Sequence, residues 1–218
     1  VIGILNAGPI ALMALGLVLI FKSSRIFNFA QGHMLLLGAL ATWWLHQRGL
    51  PVWAAIVLAM LAAGGFGLLI ERFALRPMTG QPLLSIILMT LGLSQLLQGV
   101  ALVTFGPSQD NFPALFPSDK PFRLLTPFLF NGKAIAVILK QELVWSFAVA
   151  MVGVALIGAL FRFTLLGLAM RATAEDHELA QAVGLRIRRI FGLSWALAGV
   201  VATAGGILLA SNSGLDLS

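Results

Sequence analysis

Cysteine is absent from the chain, which excludes disulfide staples and thiolate metal sites and says nothing about compartment. Charge is scarce too: 10% of the residues are Asp, Glu, Lys or Arg, against about a quarter in a soluble domain. So little polar surface cannot keep an ordinary cytosolic fold in water. Equally missing are a His-Glu-x-x-His zinc helix, a cysteine nucleophile and paired carboxylates within the apolar runs. The common hydrolytic and metal chemistries therefore have no footing. No catalytic residue, metal ligand or cofactor is expected, and the chain is not read as an enzyme.

What is present is hydrocarbon. Of the 218 residues 59% are apolar, and the mean hydropathy is +0.98. Disordered and fibrous chains do not carry so much Leu, Ile, Val and Phe without a repeat. The formal charge of +6 could suggest nucleic acid, but in a chain this apolar it reads as Lys and Arg retained in loops on one side of a bilayer. The chain is a membrane protein, and no nucleic-acid partner is expected.

Runs free of ionisable residues cover 1–21, 34–45, 52–70, 83–105, 143–161 and 190–210. Five of them approach or exceed the 19 to 20 residues or so that a helix needs to cross about 30 Å of hydrocarbon. The predicted fold is an all-α polytopic bundle with about six membrane segments, one short or broken. That one, 34–45, lengthens only through Asn28, Gln31, Gly32 and His33. Two readings stay open: a half-inserted helix whose polar start lies at depth against protein, or a plain helix whose start sits at the headgroups. The first run has no positive leader and no small-residue cleavage site, so it reads as a span. The bare ends, Val1 and Ser218, suggest a fragment of a single transmembrane domain over 1–218 with further spans missing.

Six crossings divide the connecting segments into two sets. Lys22, Arg25, Arg72, Arg76, Arg162, Arg171, Arg186, Arg188 and Arg189 fall in 22–33, 71–82 and 162–189, whereas Arg48, Lys120, Arg123, Lys133 and Lys140 fall on the other side. The richer set is expected to be cytoplasmic. The outer loop, 106–142, holds Pro107, Pro113, Pro117, Pro121 and Pro127 and cannot be helical that far. Beyond it, Asn131-Gly132 between two apolar segments predicts a small extracytoplasmic β-hairpin. Such a loop could dock an external partner or simply cover helix ends.

Proton- or sodium-coupled carriers usually keep an ionisable group at depth, and none lies in these six cores. Neutral polar residues do. Thr90, Ser94 and Gln98 recur every four residues on one helix face, with Gln95 beside them, and suit either a polar solute path or hydrogen bonds between helices. Ser194, Ala198, Ala202 and Gly206 form a stripe of small residues expected at a close helix contact.

Residues 162–189 hold eight of the 22 charged residues. At their centre an acidic turn, Glu175-Asp176-His177-Glu178, lies between Arg171 and the trio Arg186, Arg188 and Arg189. A short amphipathic helix ending near Gly184 is predicted there, more elaborate than a spacer requires and suited to docking a cytoplasmic partner.

The run Glu178-Leu179-Ala180-Gln181-Ala182-Val183-Gly184 resembles the Glu-Ala-Ala-x-x-x-Gly loop of ATP-binding cassette importer permeases, departing at its second position. Gly167 to Gly184, with Met170-Arg171-Ala172 and Ala174-Glu175-Asp176, is similar to permeases of the branched-chain amino acid transport family. Ile26-Phe27-Asn28-Phe29-Ala30-Gln31-Gly32, followed by Leu37-Gly38, resembles that family's signature after the first visible span, with His33 where an acidic residue is common. Glu71-Arg72-x-x-x-Arg76-Pro77 is a third match. The resemblance implies a subunit of the bacterial cytoplasmic membrane that forms a pore with a second permease, couples to two cytoplasmic ATPases and receives solute from an extracytoplasmic binding protein. It further implies coupling through Arg171, Glu175, Asp176, Glu178, Ala180 and Gly184, and about two more C-terminal spans. Asn28, Gln31 and Gly32, then Thr90, Ser94 and Gln98, are the candidate solute path. Urea or short-amide importers share these motifs, and a gradient-driven carrier or channel is the rival from another class.

Overall fold

The computed structural model describes residues 2–78, 80–106, 108–109, 112–113, 115–116, 122–130, 133–213 and 215–216; for 2, 108–109, 122–130, 133–139, 177–178, 213 and 215–216 this is backbone only. Eight α-helices are present among them: α1 (Ile2–Ser24), α2 (Gln31–Gln47), α3 (Val52–Ile70), α4 (Leu83–Phe105), α5 (Gln141–Phe163), α6 (Leu165–Glu175), α7 (His177–Ala182) and α8 (Ile187–Ser213). Helices α1, α4, α5 and α8 follow the predicted spans closely: Lys22 stands at the end of the α1 run, Glu142 and Arg162 at the ends of the α5 run and Arg189 before the α8 run, whereas α4 is bounded by Pro82 and Gly106.

Among the described residues five helices are long and apolar enough to cross a membrane, so the expected six reduce to five of that kind. The sixth segment is α2, of 17 residues. Its start decides between the two readings left open above. Gln31 lies against Gly16 of α1 and donates from Nε2 to the Ala198 carbonyl of α8. Gly16 precedes the last residue of α1 by eight positions, and Ala198 follows the first of α8 by eleven. At 1.5 Å per residue, the start of α2 is about 12 to 16 Å inside the bundle, measured along its neighbours. The chain therefore turns at Arg25, where φ is +55°, and re-enters through residues 26–30 before α2 begins at depth.

Helix α8 is the centre of the fold. It packs on α1, α2 and α3, and 67% of its apolar window is buried, against 11% for that of α5 at the periphery. The predicted small-residue stripe accounts for this: Ser194, Ala198 and Ala202 are wholly buried and Gly206 is buried against the Leu35 backbone. Leu19, Ile20, Met34, Leu97 and Trp195 fill the core around it.

Helix α3 departs from the reading that closed its span at residue 70. It continues without a break through a π-helical turn, Glu71–Leu75, and a 3₁₀ turn, Arg76–Met78, making one span of 27 residues. Glu71, placed by sequence in a connecting loop, is buried within it. The connector between α5 and α8 also differs from the single short helix expected: α6 and α7 are separate, broken at Asp176, whose φ of −149° and ψ of 115° are extended.

Of the described residues in 106–140, none is helical. Phe122–Phe130 and Lys133–Leu139 pair antiparallel, with a register irregularity between Leu125 and Leu129; the Asn131-Gly132 link itself lies outside the described residues. Phe116 stacks on Trp145 at 6.5 Å, and the Leu115 amide is 3.5 Å from Ser211 Oγ, so this part of the loop lies over the ends of α5 and α8.

Candidate functional site

Re-entry into the bundle leaves a non-helical backbone at depth, and unpaired N–H and C=O groups there are costly. The residues around 26–34 meet that demand. Asn28, 1% exposed, accepts the Ala30 amide on Oδ1 at 3.0 Å, donates from Nδ2 to Gln31 Oε1 at 3.1 Å, and has Met34 Sδ at 3.5 Å. Its amide thus fixes the turn that starts α2. Thr90 Oγ1 lies 2.9 Å from the Ile87 carbonyl and 3.4 Å from that of Phe27. A single hydroxyl proton serves one of them at a time. Ser94 Oγ is 2.8 Å from His33 Nδ1, the donor depending on the histidine tautomer.

The structure therefore gathers Asn28, Gln31, Thr90 and Ser94, predicted from separate segments, around the re-entrant segment as a polar cluster of two sets: Asn28 bonds Gln31, which reaches α8, while Thr90 and Ser94 of α4 meet the Phe27 carbonyl and His33. Two candidates stand apart. Gln98 is half-buried one turn further along α4 and, among the described residues, makes no hydrogen bond to the cluster. Gly32 is also half-buried; a Cβ there would meet only Met13 Cε at 3.6 Å, an ordinary contact. His33 and the Phe27 carbonyl were missed because they answer α4 residues 61 and 63 positions away. Replacing Gln31 with Leu removes the acceptor of one buried Asn28 Nδ2–H, and should lower unfolding stability in detergent by about 1 to 3 kcal/mol. Gln98→Leu should change it by less than about 0.5 kcal/mol. Equal losses from the two would show that the cluster is not a cooperating unit.

At the ends of α1 and α3, where the basic residues concentrate, the Glu71 carboxylate accepts from Arg76 Nε at 3.4 Å and Nη2 at 2.9 Å. Arg76 is about a third exposed, so the pair joins a buried charge to a wetter one. Removing one member of such a pair costs far more than its net contribution to folding. A cavity of about 260 Å³, lined partly by Ser24, Arg25, Glu71, Arg76 and Trp195, opens beside it.

The 162–189 connector forms a second candidate site. Arg171, Glu175, Asp176 and Gly184 are exposed and Ala180 is buried; the Glu178 side chain is outside the described residues. Asp176 ends α6 and caps α7, its Oδ1 accepting the Leu179 amide at 3.0 Å. Gly184 closes α7 with φ of +88°, donating its amide to the Gln181 carbonyl at 2.9 Å while the Leu185 amide reaches the Ala180 carbonyl at 3.0 Å. Arg25 Nη2 lies 3.3 Å from the Glu175 carbonyl, tying this connector to the turn that begins the re-entrant segment. Leu179 and Val183 are 67% and 74% exposed. Acidic motifs drew attention to the charges of this loop; its apolar tip has no comparable sequence signal.

The family described as "Branched-chain amino acid transport system / permease component" matches residues 1–216. The chain belongs to this family. Among relatives, the high-affinity branched-chain amino acid transport system permease protein LivH of Escherichia coli K12 is 26% identical over 225 residues, covering 95% of this chain and 68% of its own. BraD of Pseudomonas aeruginosa, a permease protein of the same description, is 27% identical over 222 residues, covering 98% and 70%. A probable branched-chain amino acid transport permease protein of Methanocaldococcus jannaschii is 29% identical over 212 residues, covering 94% and 64%. No solved structure matches. As a member of this permease family the chain is a multi-pass transport subunit.

Proposed function

We propose that this permease is the membrane-spanning subunit of an ATP-binding cassette importer in a bacterial cytoplasmic membrane, passing branched-chain or related amino acids inward. It pairs with a second permease, two cytoplasmic ATPases and an extracytoplasmic binding protein. Residues 162–189 face the ATPases, and residues 106–142 face outward. The observation that carries this reading is the α7 tip: Leu179 and Val183 stand in the open while Ala180, between them, is buried. An apolar knob held by a capped turn suits insertion into a groove of a soluble partner. Motion of that knob reaches the α1–α2 turn through Arg25 and Glu175, so the preference of ATP for one ATPase arrangement can bias the helices around the polar cluster.

Solute passes along the cluster of Asn28, Gln31, Thr90 and Ser94, whose neutral hydrogen-bonding groups suit a weakly held polar solute, since tight binding would slow release. Selectivity then rests mainly with the external binding protein. Orientation is tested by single cysteines in a chain that has none. An impermeant maleimide applied to intact cells should label Gln47→Cys and spare Glu175→Cys until the membrane is opened. The reverse pattern would overturn the assignment of the loops.

A further inference from the structure

The basic end of the bundle carries a cleft for which the transport reading names no ligand. It has a volume of about 420 Å³ and lies between the end of α3 and the start of α8. Arg72, Arg188 and Arg189 line it and are exposed; among the described residues none of the three is in an ion pair. Below them the lining becomes apolar: Leu68 and Leu193 are 44% and 45% exposed, with Gly192 between them. Leu69 and Phe73, on the neighbouring strip of α3, are also exposed. The one carboxylate in the lining, Glu71, is held by Arg76.

We infer that this cleft binds an anionic glycerophospholipid, its phosphate held by Arg72, Arg188 and Arg189 and one acyl chain laid along Leu68 and Leu193. Two features select this occupant. Three guanidinium groups offer forked donors matched to a phosphate diester, and their charges are not cancelled locally. A free phosphate would explain the arginines but not the exposed Leu68 and Leu193 in the same lining. A zwitterionic lipid would suit the groove, but its headgroup brings a cation to a cationic rim. Basic pockets between helices at the membrane surface have this combination of charge above and hydrocarbon below. Arg188 and Arg189 end the connector proposed above to face the ATPases, so the readout is lipid retention by the isolated chain and not transport.

The test uses the purified chain in detergent, with bound lipid counted by native mass spectrometry after incubation with phosphatidylglycerol or phosphatidylcholine of identical acyl chains. Wild type is expected to retain phosphatidylglycerol at least tenfold better. In Arg72→Gln/Arg188→Gln/Arg189→Gln that preference should vanish, and in Arg188→Gln alone it should fall about threefold. Lys22→Gln/Arg48→Gln/Arg162→Gln, which removes the same charge elsewhere, should keep it. The single variant decides should the triple variant not stay monodisperse. Equal retention of both lipids, an unchanged preference in the cleft variants, or equal loss in the control variant would overturn the inference. So would displacement of the lipid by millimolar inorganic phosphate, which would make the cleft a site for soluble anions.

Discussion

ATP-driven uptake is expected to fall at least tenfold in Gly184→Pro, with the protein still inserted and folded. Gly184 turns the chain out of α7 at φ of +88° and donates its amide to the Gln181 carbonyl. Proline holds φ near −65° and has no amide hydrogen, so it can do neither. The turn must rebuild, and the Leu179–Val183 tip moves with it. Because Gly184 is exposed and no neighbouring atom lies within 4 Å of where a Cβ would stand, the damage stays local. Unfolding stability should change by less than about 2 kcal/mol, within the ordinary range for one substitution. Asn, which tolerates the left-handed conformation, should retain most of the activity. Uptake and unfolding measured on the same preparations separate coupling from folding. Normal uptake by Gly184→Pro would remove the α7 turn from the coupling path.

Gly67→Val should have the largest effect on stability. A Cβ at Gly67 meets the Trp195 carbonyl carbon at 2.7 Å and the Ala196 amide nitrogen at 3.1 Å, with the Trp195 oxygen closer still. These are backbone atoms of α8, so no rotamer change relieves the clash. The two helices must separate, opening the core around Trp195, and overpacking of this severity costs about 3 kcal/mol or more. Gly65, two positions away, has nothing within 4 Å. Gly65→Val should therefore change stability by less than about 0.5 kcal/mol, as for a surface site. Chemical denaturation of both variants in one detergent decides the matter; similar losses would mean that close approach of α3 to α8 is not what holds the bundle together.

How much of this was legible in the sequence varies with the range of the interaction. Spans delimited by charge were plain, because hydrocarbon excludes charged groups wherever neighbours lie; α5 follows the run 143–161, bounded by Glu142 and Arg162, to within two residues at each end. The same rule failed at Glu71. An acidic residue reads as the end of a span until its partner is known, and Arg76 becomes that partner only because the helix winds on through a π turn. The α2 segment was ambiguous for a related reason. Asn28 and Gln31 signal polarity, but the depth of that polarity depends on Ala198, 167 residues away from Gln31.

The polar candidates show the same limit. Thr90 and Ser94 could be placed on one face by spacing, whereas their pairing with the Phe27 carbonyl and His33 required the fold. Gln98 shares that spacing and lies outside the cluster, so periodicity alone overstated it. In the connector, Asp176 read as part of a helix because its neighbours are good helix formers; its side chain instead ends α6 and caps α7, the competition with backbone that short acids often win.

The central claim is that the bundle takes its driving force from the surface around α7. The most direct measurement is accumulation of radiolabelled leucine in proteoliposomes containing the permease with its partner permease, ATPases and binding protein. Accumulation should require ATP inside the compartment where α7 lies, and should be absent when a proton or sodium gradient is imposed without ATPases. Leucine gathered against its gradient by the ion gradient alone would contradict the account.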